Sequence, residues 1–186
     1  GFWSALRLAA NILKPSVSPA TSLSFRHMDK EADLCYEFDE NNPIEDHLQL
    51  GFKPVEMADR VEGLLKSIGL TYNFASLVYV VGHGSTSVNN THYAGYDCGA
   101  CSGRPGSVNA RVICKMANHK EVRKLLSERG LNIPETTLFM GALHDTSRDE
   151  IVFYEEQLLS QSQALLHNKN KKTFQTALHL NAKERS

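Results

Sequence analysis

The run VYVVGHGSTSVNNTHYAGYDCGACSGRPGSVNAR, Val78 to Arg111, gathers His83, His92, Asp97, Cys98 and Cys101 among six glycines. Imidazole and thiolate together make a borderline-soft donor set that suits zinc. Gly82, Gly84, Gly95, Gly99 and Gly103 give the backbone freedom to fold Cys98 back toward His83. The same residues admit two other chemistries. His83, His92, Cys98 and Cys101 supply the two imidazoles and two thiolates of a closed, non-enzymatic zinc module. Cys98 and Cys101 alone have the Cys-x-x-Cys spacing of a thiol redox protein. A phosphate loop is excluded, because GHGSTS lacks the lysine such a loop needs.

Such donors need elements to hold them in place. SLVYVV (76–81) is apolar on both faces and rich in valine, the pattern of a buried strand. The glycine-rich loop then runs from Gly82 to Gly106. Val108, Val112, Ile113 and Met116 form one helical stripe; Val122, Leu125 and Leu126 form another, stopped at Gly130. Asn118 with Glu121 is spaced to cap the second helix. TTLFMGALHD (136–145) reads as a second buried strand. Strand, helical connection and strand predict a βαβ unit, hence an α/β fold with a parallel sheet and helices on its faces. Ligands bind beyond the carboxyl ends of such strands. His83 follows the first strand and His144 the second, so both are expected at one crevice.

Upstream, Met57, Val61, Leu64, Leu65 and Ile68 recur at helical spacing between Pro54 and a stop at Gly69. Residues 1–14 read as a helix, 15–50 as irregular, and DEIVFYEE as a short edge strand. Residues 157–185 read as helix-rich, with NKNKK as a solvated break. The expected division is 1–50 as flanking helix and irregular chain, 51–150 as the α/β zinc-site domain, and 151–186 as a helical C-terminal segment.

At 186 residues the chain can bury a core, and a formal net charge of −1 offers no electrostatic footprint for nucleic acid. No apolar run reaches membrane-spanning length. The opening GFWSALRLAANILKP has Arg7 inside its apolar part and no small-residue cleavage site, so it does not read as a signal peptide. Thiols rather than disulfides are therefore expected for Cys35, Cys98, Cys101 and Cys114. Cys114 lies in a helical stripe and is expected in the core; Cys35 is assigned nothing. His27, His47, His92, His119, His167 and His179 have no partner that spacing identifies and are expected at the surface. The start on Gly1 suggests a piece of a longer protein.

GFKPVEMADRVEGLLKSIGLTYNFASLVYVVGHGSTSVNN, YDCGACSGRPGSVNARV and RGLNIPETTLFMGALHDTSRDE closely resemble the C-terminal part of the DabA family, probable inorganic carbon transporter subunits. The resemblance implies a zinc site like that of the β-type carbonic anhydrases. Its ligands would be an upstream Cys-x-Asp from a Cys-x-Asp-x-Arg motif, the His of Gly-His-Gly and the first Cys of Asp-Cys-Gly-Ala-Cys. In this sequence the downstream pair is His83 and Cys98, and Cys101 is not a ligand. It further implies a peripheral protein on the cytoplasmic side of the cell inner membrane. Its expected partner is a multi-spanning, ion-translocating (DabB-like) subunit, its cofactor Zn2+, and its task accumulation of bicarbonate from CO2.

This sequence contains no Cys-x-Asp-x-Arg. CYEFDE at Cys35 carries Glu37 where the Asp belongs and Asp39 where the Arg belongs. The expectation is a downstream fragment holding half of a zinc site and inactive by itself.

Overall fold

The computed structural model describes residues 34–42, 44–45, 47–85, 105–146 and 148–185. The expected helix at 1–14, and Asp97, Cys98, Cys101 and His92, lie outside the described residues. Two two-residue strands, β1 (Ile44–Glu45) and β2 (Leu48–Gln49), pair antiparallel within the stretch expected to be irregular. Helix α1 (Pro54–Ser67) starts as expected on Pro54. The Glu56 carboxylate accepts the Lys53 N–H at 2.8 Å, and Gly69 follows at φ +72.

Strand β3 (Leu77–Gly84) leads through 85–106 to α2 (Ser107–Asn118), α3 (Lys120–Glu128) and strand β4 (Leu138–Asp145). β3 and β4 are parallel, β5 (Glu150–Phe153) pairs antiparallel with β4, and the order is β3-β4-β5. The βαβ unit and the edge strand are both present, in a mixed rather than wholly parallel sheet.

Three boundaries differ from expectation. β3 extends through Gly82, His83 and Gly84, because Gly106 packs directly on Gly82 and a bare backbone there permits close approach rather than a turn. The break between α2 and α3 falls at His119, whose extended backbone (ψ 130) separates them without a side-chain cap. Asn118 is used elsewhere: its Nδ2 donates to the Phe139 carbonyl at 2.7 Å and its Oδ1 accepts the Phe139 N–H at 3.0 Å. It thus completes the edge of β4 where β5 does not reach. Finally, α4 (Gln161–Arg185) runs unbroken through NKNKK. Asn170 donates to the Tyr79 hydroxyl and Lys171 pairs with Glu156, so this polar run is anchored rather than merely solvated.

The sheet separates two layers. Met57, Val61 and Leu65 of α1, Cys114 and Met116 of α2, and Val122 and Leu126 of α3 are buried against Phe139, Val78 and Val80. Burying such side chains contributes roughly 1.5–3 kcal/mol each. On the opposite face, α4 brings Phe174 and His167 against Tyr79 and Phe153. His167 is 2% exposed, contrary to its expected surface position. Tyr79 Oη lies 2.9 Å from its Nδ1, and Glu156 Oε1 3.0 Å from its Nε2, so both ring nitrogens are satisfied inside the protein. Cys114 is buried as expected; desolvation first, then the Glu155 charge, pushes its thiol up to about 12. Cys35 is exposed. No helix among the described residues is long and apolar enough to cross a membrane.

Candidate functional site

His83 and His144 are register partners at the penultimate positions of β3 and β4, followed by the pair Gly84 and Asp145. They lie within the strands rather than just beyond them, and the expectation that they share one end of the sheet holds. Register partners point to the same side. His83 and His144 therefore share the face of Tyr79, Met140 and Ala142, while Gly82 and Gly84 face α2. His83 is exposed at this end. His144 keeps Nε2 buried, 4.0 Å from Asp149 Oδ1, beyond hydrogen-bonding distance. Asp145 is 2% exposed on the α2 face.

The backbone around His83 is pinned from both flanks. The Gly106 N–H donates to the His83 carbonyl at 2.7 Å, and the Thr146 N–H donates to the Gly84 carbonyl at 3.0 Å. The chain leaves at Ser85, which is buried, and re-enters at Pro105 and Gly106. Both ends of the segment carrying Cys98 are thus fixed beside His83. A strand end holding one donor, with the two ends of the glycine-rich segment fixed next to it, suits a metal site to which both contribute. Among the described residues no group of three His, Cys, Asp or Glu side chains is placed to hold a metal. His83 alone of the expected ligands is described, and its surroundings fit a contributor to a site completed by other residues.

Sequence reasoning missed a buried ionic cluster on the α2 face of the sheet, beside Gly141. Arg111 of α2, 6% exposed, places Nε 2.7 Å and Nη2 2.6 Å from Glu155 Oε1, and its guanidinium lies 5.0 Å from the Tyr154 ring centre. Gly141 makes room, since a Cβ there would stand 3.1 Å from Arg111 Cα and Cγ. Burial pushes the Tyr154 hydroxyl upward, partly opposed by the Ser107 hydrogen bond and the Arg111 charge. Arg111 and Glu155 are far apart in the sequence and carry no motif; only the glycine in a buried strand hinted at a close approach. The groove of about 460 Å³ between β5 and α4, lined by Arg148, Phe153, Lys171 and His179 among others, contains neither His83 nor His144.

Residues 1–186 match the family model described as "Probable inorganic carbon transporter subunit DabA". A protein of that name from Azotobacter vinelandii is 59% identical over 186 residues, covering 100% of this chain and 22% of the relative. One from Nitrosospira multiformis is 53% identical and likewise covers 100% of this chain and 21% of its own length. One from Sorangium cellulosum is 50% identical over 111 residues, 60% of this chain and 11% of its own. The chain thus spans about a fifth of the two relatives that match it throughout. No solved structure matches it.

Proposed function

This chain belongs to the DabA family of probable inorganic carbon transporter subunits, and on that premise we propose that it supplies half of a zinc site for CO2 hydration in a bicarbonate-accumulating complex. His83 and Cys98 are the two ligands this chain would contribute; an upstream Cys-x-Asp of the parent would contribute the rest. Zinc, when bound, supplies a Lewis acid that makes water nucleophilic toward CO2 at neutral pH.

This chain's own residues position the donors. The ladder to β4 and the Gly106 N–H on the His83 carbonyl hold the backbone that aims the imidazole. The close seating of Gly106 on Gly82 fixes where the Cys98 segment rejoins the fold. The proposed partner is a multi-spanning, ion-translocating (DabB-like) subunit, with this protein peripheral on the cytoplasmic side of the inner membrane. The word "subunit" in the relatives' name supports a partner of some kind.

One observation carries the reading: His83 stands exposed at the carboxyl end of a parallel strand, and both ends of the Cys98 segment are anchored next to it. Metal content per chain and bicarbonate uptake, measured for the full-length parent in cells lacking other carbonic anhydrases, test it. His83→Ala and Cys98→Ala are expected to abolish both, since a lost ligand removes affinity and orientation together. Cys101→Ala is expected to leave zinc in place. If Cys101→Ala empties the site as thoroughly as Cys98→Ala, the closed four-ligand module replaces this reading.

A further inference from the structure

We propose that the outer edge of β3 is a seam, filled in the parent protein by a strand from chain lying outside these residues. The hydrogen-bond directions define that edge. Ser76 and Gly84 turn their carbonyls to β4, accepting the Leu138 and Thr146 N–H groups at 3.0 Å each. Because a strand residue points its N–H and C=O the same way and its neighbour the opposite way, Val78, Val80 and Gly82 also face β4. Leu77, Tyr79, Val81 and His83 therefore face outward. At the carboxyl end, Gly106 takes the His83 carbonyl at 2.7 Å. Among the described residues no strand pairs with the backbone of Leu77, Tyr79 or Val81.

The edge of β4 does not leave such groups open. Where β5 stops short, Asn118 satisfies both backbone groups of Phe139. Arg123 holds Asn118 in place, with Nη2 3.0 Å from its Oδ1. β3 carries none of the usual edge protection: Leu77 to Val81 contain no charge, no proline and no bulge, and Val81 is 44% exposed. A parallel, valine-rich strand of this kind belongs inside a sheet. The occupant is argued from length, because relatives matching the whole chain are nearly five times longer, this chain being 22% and 21% of them. Since Gly106 blocks the edge at His83, pairing would extend along Leu77 to Val81 and end beside that histidine. The inference rests on family membership and the sheet, and is independent of zinc.

Residue-resolved amide exchange on the full-length parent tests it. The Tyr79 and Val81 amides are expected to exchange as slowly as those of Val78 and Val80. In the 186-residue chain alone they are expected to exchange about 100-fold faster or more, as unpaired edge amides do. Fast exchange at Tyr79 and Val81 in the parent overturns the proposal, as does full protection in the shorter chain or protection that rises with concentration. A second measurement does not need the shorter chain to fold: Val81→Cys in the parent, labelled with a benzophenone maleimide and irradiated. A cross-link to the same polypeptide outside residues 1–186 is expected. A dimer-sized product, a link to another protein, or a link within 1–186 refutes it.

Discussion

A Cβ on Gly82 would stand 2.5 Å from the carbonyl carbon and oxygen of Gly106, so backbone meets backbone where β3 passes the first turn of α2. Neither group can move aside as a side chain would. Gly82→Ala is expected to destabilise by about 2 kcal/mol or more through overpacking. Gly63 is the control: it sits in α1 with nothing within 4 Å of its added Cβ. Gly63→Ala is expected to stabilise by about 0.5–1 kcal/mol. Urea unfolding of the three proteins gives both numbers, and a neutral Gly82→Ala would contradict the close seating.

Glu155→Gln removes the Glu155 carboxylate from the buried Arg111 guanidinium. A loss of about 3 kcal/mol is expected, the usual consequence of removing one partner of a buried pair. Arg111→Met together with Glu155→Gln is expected to recover part of that loss. The double-mutant cycle measures the coupling, and additive single effects would show that the 2.6 Å contact contributes little.

Glu156 predicts an acid-sensitive attachment of α4. Burial raises its carboxyl, but hydrogen bonds from Lys171 and His167 outweigh that and leave it below the ordinary glutamate value. A depressed carboxylate gives stability that is complete above the unfolded value of ~4.3 and lost as pH falls through the lower folded value. Melting temperature should therefore fall more steeply below about pH 4.3 in the parent sequence than in Glu156→Gln. Parallel curves would remove Glu156 as the cause.

Cys114 and Cys35 should differ sharply toward alkylation. At pH 8 the Cys114 thiol, about 12, is almost wholly protonated as well as buried, whereas Cys35 is exposed. Peptide mapping after brief iodoacetamide treatment should find the Cys35 peptide modified and the Cys114 peptide intact until denaturant is added. Equal labelling would mean that α2 opens readily.

The βαβ unit was legible because its signals are local: a valine run, two stripes of period 3.6, then a second apolar run. His83 and His144 could be placed together from that topology. What escaped depends on distant partners. His167 reads as a polar residue on a polar helix, yet its partner Tyr79 lies 88 positions upstream. Asn118 has the local look of a cap, but the open edge of β4 claims it instead. Gly82 and Gly84 suggest a loop when read alone; only the arrival of Gly106 explains why the strand continues through them.

The Tyr79 hydroxyl receives Asn170 Nδ2–H at 3.2 Å and lies 2.9 Å from His167 Nδ1, whose ring reaches Glu156 through Nε2 at 3.0 Å. A carboxylate can only accept, so Nε2 donates to Glu156; in the neutral ring Nδ1 then accepts from the phenol, which itself accepts from the amide. In that form the order is polar, with a head at Asn170 and a tail at Glu156. The strand carrying His83 thus meets the last helix through one shared oxygen as well as through the Phe174 ring packed on Tyr79. Tyr79→Phe would cut that thread at its middle, stranding a donor on one side and an acceptor on the other.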